Sequence, residues 1–296
     1  MRKNSALLFL FSLLSVPAWA QDDLLNQLQQ LDSAKTFPVT ATFKSTRIVN
    51  GHSIETMKKN HLDFRISHRF GTLNSGAYQF FGLDQATMRM GLEYGITDRF
   101  MIGVGRSTSQ KAYDFMAKFK LLQQTSGARS IPVSVSLFGS TAIYTVNKEL
   151  EFQDKVSYVA QALVARKFGE RFSLQLSPTW LYRNQVLVDD DEKLLLAVGI
   201  GGRFKLSKRV SLNGEYFYTA REKNTVTAPY HDSMSFGVDI ETGGHVFQLH
   251  FTNSLGMIER QFIGETAGSW GKGDIHYGFN ISRTFSFDKK SRVGSK

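Results

Sequence analysis

The chain has 296 residues, a formal charge of +10, a mean hydropathy of −0.22 and no cysteine. Disulfides are therefore excluded as a source of stability, and no apolar stretch is long enough for a spanning helix, which takes roughly 20 residues. The Lys and Arg residues are scattered rather than clustered, which argues against a nucleic-acid partner despite the basic balance.

In chain order, the first element is an export signal. Arg2 and Lys3 give a positive start, Ala6 to Val16 forms an apolar run of about eleven residues, and Pro17 interrupts it. Ala18-Trp19-Ala20 supplies small residues where signal peptidase reads them, so cleavage is expected after Ala20. Loss of Arg2 and Lys3 lowers the formal charge from +10 to +8. Residues 21–59 come next. Asp22 and Asp23 precede Leu24, Leu25, Leu28 and Leu31, a helical spacing with acids at its start. The stretch from Phe37 to Lys59 leaves three possibilities open: a plug in a lumen, a periplasmic segment, or an extra strand over Thr40 to Val49, which partly alternates.

From His61 onward the hydrophobic period becomes two. In residues 85–96 Ala86, Met88, Met90, Leu92, Tyr94 and Ile96 oppose Gln85, Thr87, Arg89, Gly91, Glu93 and Gly95. Alternate side chains of a strand point to opposite faces, so one face is apolar and the other polar or glycine. Leu62, Phe64 and Ile66 oppose Asp63, Arg65, Ser67 and Arg69 in the same way, and so do the faces of 233–241 and 274–287, where Arg283 alone breaks the apolar face. Repeating this reading predicts about twelve strands, near 60–70, 85–96, 99–107, 111–123, 130–145, 155–168, 172–184, 193–206, 210–220, 231–242, 244–254 and 273–287. Tight turns at Thr97-Asp98, Gly169-Glu170-Arg171, Ser207-Lys208-Arg209 and Gly243-Gly244 alternate with long polar loops at 71–84, 221–230 and 255–272.

Short turns on one side and long loops on the other, with an even strand count, predict an all-β transmembrane antiparallel up-and-down barrel over 60–287, with a tail at 288–296. The competing architecture, a soluble sandwich or lipocalin-like barrel, turns the apolar face inward. Two aromatic girdles favour the membrane barrel: Phe100, Phe168, Phe172 and Phe204 on the short-turn side, and Tyr113, Trp180, Tyr182, Tyr216 and Tyr218 on the loop side. The partners so implied are outer-membrane lipid and, during biogenesis, the barrel-assembly machinery. Phe285-Ser286-Phe287 fits the aromatic ending that machinery reads, although nine residues follow it.

Four stretches carry a family likeness: 41–56 (ATFKSTRIVNGHSIET), 61–71 (HLDFRISHRFG), 80–107 (FFGLDQATMRMGLEYGITDRFMIGVGRS) and 177–184 (SPTWLYRN). They resemble an uncharacterised family of outer-membrane β-barrels, a domain of unknown function common in Bacteroidetes-type Gram-negative bacteria. The resemblance covers nearly the whole exported chain and implies the barrel fold and outer-membrane placement. It carries no site residues with it.

The polar faces define the candidate lumen. They hold Asp63, Arg65, Arg69, Arg89, Glu93, Asp114, Lys118, Lys120, Arg203, Lys205, Glu215, Asp239 and Glu241. Arg65, Arg69 and Arg89 on early strands form either an eyelet favouring anions or, the preferred reading, a neutralising ladder with Asp63 and Glu93. About eight strands make a filled interior and about 16–18 an aqueous channel, so twelve leave a narrow or plugged passage. Chemistry signals are weak. Asn50-Gly51-His52-Ser53 puts the residue types of a barrel lipase side by side, but neighbours on a strand point apart and no acidic orienter follows. His250 and His276 lack a third metal ligand, and Gly199-Ile200-Gly201-Gly202 lacks the spacing of a dinucleotide loop. The expectation is no enzyme, no cofactor and no metal: a narrow pore or passive transporter for small polar, including anionic, solutes, with a non-conducting structural or docking barrel as the alternative and an outer-membrane hydrolase as a remote third.

Overall fold

The computed structural model describes residues 35–186, 191–221 and 230–288. The expected export signal, its cleavage site, the helix over 24–31 and all but the first residue of the 288–296 tail lie outside these residues. Among the described residues twelve long strands form one closed antiparallel barrel: β2 (His61–Thr72), β3 (Ala86–Gly95), β4 (Phe100–Ser107), β5 (Ala112–Leu122), β7 (Ser134–Tyr144), β8 (Val156–Phe168), β9 (Phe172–Arg183), β10 (Leu194–Lys205), β11 (Val210–Ala220), β12 (Ser233–Thr242), β13 (His245–Thr252) and β14 (His276–Ser286). Each strand pairs with its sequence neighbours, and β14 closes on β2 with Ile281 opposite Ile66. The predicted strands match these to within a few residues. Two short strands, β1 (Thr36–Pro38) and β6 (Thr125–Gly127), pair with each other outside the barrel.

The alternation sets which way each side chain points. In β2, Asp63, Arg65, Ser67 and Arg69 are buried, whereas Phe64, Ile66 and His68 on the opposite face are partly exposed. In β10, Leu194, Leu196, Val198 and Ile200 are exposed while Leu195 and Ala197 are buried. An apolar exposed belt around an interior that carries buried charges is the reverse of a soluble barrel. The expected girdle residues all face outward: Phe168 packs on Phe172 (ring centroids 5.8 Å) and Phe100 on Phe119 at the short-turn end, beside Phe204. At the other end Trp180 stacks on Tyr182 at 6.0 Å, with Tyr113, Tyr216 and Tyr218 exposed nearby. Arg283, the break in the apolar face of β14, lies over the Phe285 ring at 4.9 Å, a cation–π contact beside the short turns.

The connection between β5 and β7 is longer than the other turns at the same end. It spans residues 123–133 and pairs through β6 with β1, so that the chain before the barrel is clamped at the short-turn end; Val39 N donates to Gln124 O (2.8 Å) and Lys167 Nζ to Thr40 O (2.9 Å). From there residues 41–57 run into the lumen and return before β2. Of the alternatives for 37–59, the plug describes this course; the extra strand over Thr40 to Val49 does not form. The returning chain leaves across Gly95, where an added Cβ would meet Lys58 O at 2.1 Å, so a side chain there is incompatible with the seated segment. Asp98 in the adjoining turn accepts from Lys59 N at 3.0 Å and holds the exit in place.

The outward belt makes a direct prediction. Ile200→Arg, near the middle of β10, should destabilise the folded barrel in liposomes by about 2–4 kcal/mol. Chemical unfolding monitored by tryptophan emission checks this.

Candidate functional site

The lumen is filled by two pieces of chain that enter from opposite ends. The first is a tight hairpin over residues 46–53, closed by Ser53 N donating to Thr46 O (2.9 Å) and Ile48 N to Gly51 O (2.8 Å). Glu215 on β11 anchors its tip. Its carboxylate accepts from Val49 N (3.2 Å), Asn50 N (2.7 Å) and Gly51 N (3.1 Å). Lys118 on β5, on the far side of the barrel, anchors the stem by donating to Thr46 O (3.2 Å), Ser53 O (2.9 Å) and Glu55 O (3.0 Å). One acid thus takes three turn N–H groups and one ammonium takes three carbonyls, which satisfies backbone that no strand pairs.

The second piece is the loop after β13. Read from sequence as a long polar loop, 255–272 tucks its first half inside, and it carries a short helix α1 (Glu259–Gly264) that is buried along its whole length. The signal was its cluster of apolar residues: Met257, Ile258, Phe262 and Ile263 are all at most 2% exposed. Arg221 Nη2 donates to Ile263 O (3.1 Å) and Arg183 Nη1 to Gly264 O (3.4 Å), which places cations on the carbonyl end of the helix. Arg260 is held by Glu265 at 2.8 Å and lies over the Tyr144 ring.

The two pieces meet at Glu259. Its Oε1 is 3.5 Å from Arg47 Nη1 and 3.6 Å from His52 Nε2, both on the hairpin. None of these residues lies on a spanning strand. Burial, reinforced by Arg47 and Lys118, holds the His52 imidazole well below its usual range, and burial pushes the Glu259 carboxyl up against the pull of Arg47. Phe217 bridges the same junction, its ring 5.1 Å from that of Phe262 and against Gly51, where an added Cβ would sit 2.7 Å away.

The inner wall has two faces. Phe138, Val159, Leu163, Leu181, Leu195 and Phe217 on β7–β11 make an apolar core with Phe43, Ile48, Ile54, Phe262 and Ile263 of the filling pieces. Across from it, β12–β14 and β2 carry a polar strip that holds the hairpin tip by hydrogen bonds. Gln248 donates to Ile48 O (2.9 Å), Asn280 to Val49 O (3.2 Å), Arg69 to Asn50 Oδ1 (2.6 Å) and Asn50 to Ser235 Oγ (3.0 Å). Cavities flank the tip along this strip. One of about 870 Å³ opens at the short-turn end beside Lys44, Asp63, Arg65, Lys120, Ser282 and Thr284. Another of about 360 Å³ opens at the loop end beside Thr72, Asn253, Gln261, Glu265 and His276.

Arg65, Arg69, Arg89, Asp63 and Glu93 are all buried in the lumen, but they do not make one ladder. Arg65 pairs with Asp63 (3.0 Å) and also binds Ser45 and Thr46 of the plug. Arg89 reaches over β4 to Asp114 in a two-pronged pair, a crossing that Gly105 permits because a Cβ there would lie 2.3 Å from Arg89 Nη2. Glu93 accepts from the Thr46 hydroxyl and faces Arg47 at 3.9 Å. Arg69 has neutral partners, Asn50, Asn280 and the His68 carbonyl. Arg203 donates to Ala41 O (3.0 Å) and Glu241 pairs with Lys44, which ties wall to plug, whereas Asp239 accepts from Gln248 of the neighbouring strand (2.9 Å). Lys120 and Lys205 are less buried, at the short-turn rim. Ser53 Oγ donates to Ser45 O rather than to a histidine, and His276 Nδ1 lies 2.8 Å from Phe70 O. Among the described residues no group of three or more potential metal ligands forms.

The family model described as a membrane bound beta barrel domain (DUF5777) matches residues 43–285. The chain belongs to this family. The match starts within the buried plug and ends in the last strand, so this membrane-bound β-barrel domain includes its own filling. Among solved structures, the NanC porin is 10% identical, with a TM-score of 0.48 over 77% of this chain and 100% of that one. The KdgM porin is 9% identical, with a TM-score of 0.48 over 76% and 99%. The translocator domain of the autotransporter NalP from Neisseria meningitidis is 12% identical, with a TM-score of 0.37 over 90% and 96%. No curated protein matches the sequence.

Hydrogen bonds to a charged group contribute about 1.5–3 kcal/mol. Glu215→Gln should therefore raise amide hydrogen exchange at residues 49–51 by about tenfold or more, since 1.4 kcal/mol is a factor of ten. Exchange elsewhere in β11 should stay unchanged, as mass spectrometry of the reconstituted protein will show.

Proposed function

We propose that this protein is an outer-membrane channel for small polar solutes that is closed at rest by its own hairpin and outer loop. The observation that carries the reading is the polar strip on β12–β14 and β2, which runs between the two cavities and is interrupted by the hairpin tip. The contacts across that interruption are hydrogen bonds and charges, which water can replace when the tip withdraws. Withdrawal also frees Arg69 and Lys118 from plug partners, and equally Glu93 and Glu215, so the opened wall carries both signs. This mixture suits small polar solutes, with any preference for anions resting on Arg65, Arg69 and Arg89. No step of this reading requires catalysis.

The apolar core on the other wall keeps the resting state closed. Exposing buried side chains such as Phe43, Ile48 and Ile54 costs about 1.5–3 kcal/mol each, so spontaneous opening is rare. The same core is what favours the alternative, a permanently filled barrel that serves as a docking body.

Planar-bilayer recording separates the two. Wild-type protein should give infrequent openings, and replacing residues 46–53 and 256–266 by short Gly-Ser linkers should give steady single-channel steps. A linker variant that retains the heat-modifiable mobility of a folded barrel yet passes no current at any salt concentration leaves only the docking reading. In the conducting variant, neutralising Arg65, Arg69 and Arg89 together should lower anion preference, measured as a shift in reversal potential across a salt gradient.

A further inference from the structure

The lumen holds two segments with separate attachments, and the contact between them has a consequence of its own. The hairpin is clamped from the short-turn face by β1, β6 and the Thr97-Asp98 turn. The loop carrying α1 descends from the opposite face. Glu259, 4% exposed at its side chain, has Arg47 and His52 as its nearest charged or ionisable neighbours, and both belong to the hairpin. The wall charges close by are already committed: Arg89 to Asp114, and Arg65 to Asp63. Arg47 in turn donates to Asn50 O within the hairpin (2.6 Å), and its acidic neighbours among the described residues are Glu259 and, at 3.9 Å, Glu93 on β3. If the hairpin leaves alone, buried Glu259 loses both Arg47 and His52. If the loop leaves alone, Arg47 gives up its Glu259 pair and keeps the longer contact with Glu93, and removing one partner of a buried pair is strongly unfavourable. Phe217 adds an apolar coupling, since its ring touches Phe262 of the loop and backs the hairpin at Gly51.

We propose that Glu259 is a latch joining the two lumen segments, so that hairpin and loop open as one unit and a change at one membrane face is transmitted to the other. This rests on the closed-lumen reading above and adds how its closure is controlled. Coupling of this kind is reciprocal: loosening either segment loosens the other to the same extent.

The chain has no cysteine, so single reporters can be placed in the full-length protein. Ser53→Cys reports on the hairpin and Ser254→Cys on the loop; both serines are at most 1% exposed. Each is reacted in liposomes with a small charged methanethiosulfonate. Glu259→Gln should speed modification of the hairpin reporter at least tenfold, and Arg47→Met should speed the loop reporter by a similar factor. Together the two changes should add little to either alone. If each substitution speeds only the reporter on its own segment, or neither reporter responds, the latch is overturned. Should Glu259→Gln yield no folded barrel, Glu259→Asp, which draws the carboxylate back by one methylene, gives the same readout. Labelling is read without current, so the two proposals fail separately. Coupled labelling in a barrel that never conducts keeps the latch and removes the channel; uncoupled labelling in a conducting barrel does the reverse.

Discussion

In hydrocarbon no water is present to pair with backbone N–H and C=O groups, so a sheet can cross a membrane only when it closes on itself. In this protein the pairing of β14 with β2 meets that demand, and it fixes the number of strands in the ring at twelve. A ring of that size encloses more room than inward side chains fill, and less than an open aqueous channel has. The remaining space has to be occupied by water or by chain, and residues 41–57 and 253–266 take most of it.

Filling a lumen with irregular backbone raises the same demand again, one level further in. Every N–H and C=O of the hairpin that lacks a strand partner needs one from the wall. Glu215 and Lys118 answer this with three contacts each, while Gln248 and Asn280 take the carbonyls of the tip. The ionised groups inside the barrel are therefore better understood as ligands of the plug than as the lining of a pore in its open form. The arginines of β2 fit this pattern, since Arg65 and Arg69 bind plug atoms directly, whereas Arg89 of β3 is neutralised within the wall by Asp114.

The wall is divided because the plug is. Ile48 and Ile54 lie on one side of the hairpin and face the apolar strands β7–β11, while its polar backbone edge faces β12–β14 and β2. The apolar side supplies adhesion and the polar side supplies positional bonds that exchange readily with water. A segment held in this way can be both well seated and removable, provided something offsets the apolar contact it gives up.

The strands, their inward and outward faces and the girdles were legible in the sequence, since strand periodicity is local and the membrane imposes a sharp contrast between faces. His61 to Arg69 shows this in nine residues. The plug at 41–57 was only one of three options, because Phe37 to Lys59 has no strong period and its partners lie on strands as far as 231 residues away. The loop at 255–272 was read only as long and polar, without its buried helix, since a short helix buried inside a barrel obeys no amphipathic pattern against solvent. By itself, then, the sequence determined the barrel and which residues face its interior. Only the tertiary structure decided what those residues hold, because the pairing of Glu215 with a turn, Lys118 with a stem and Glu259 with Arg47 depends on closure of the ring, which brings distant segments into one confined space.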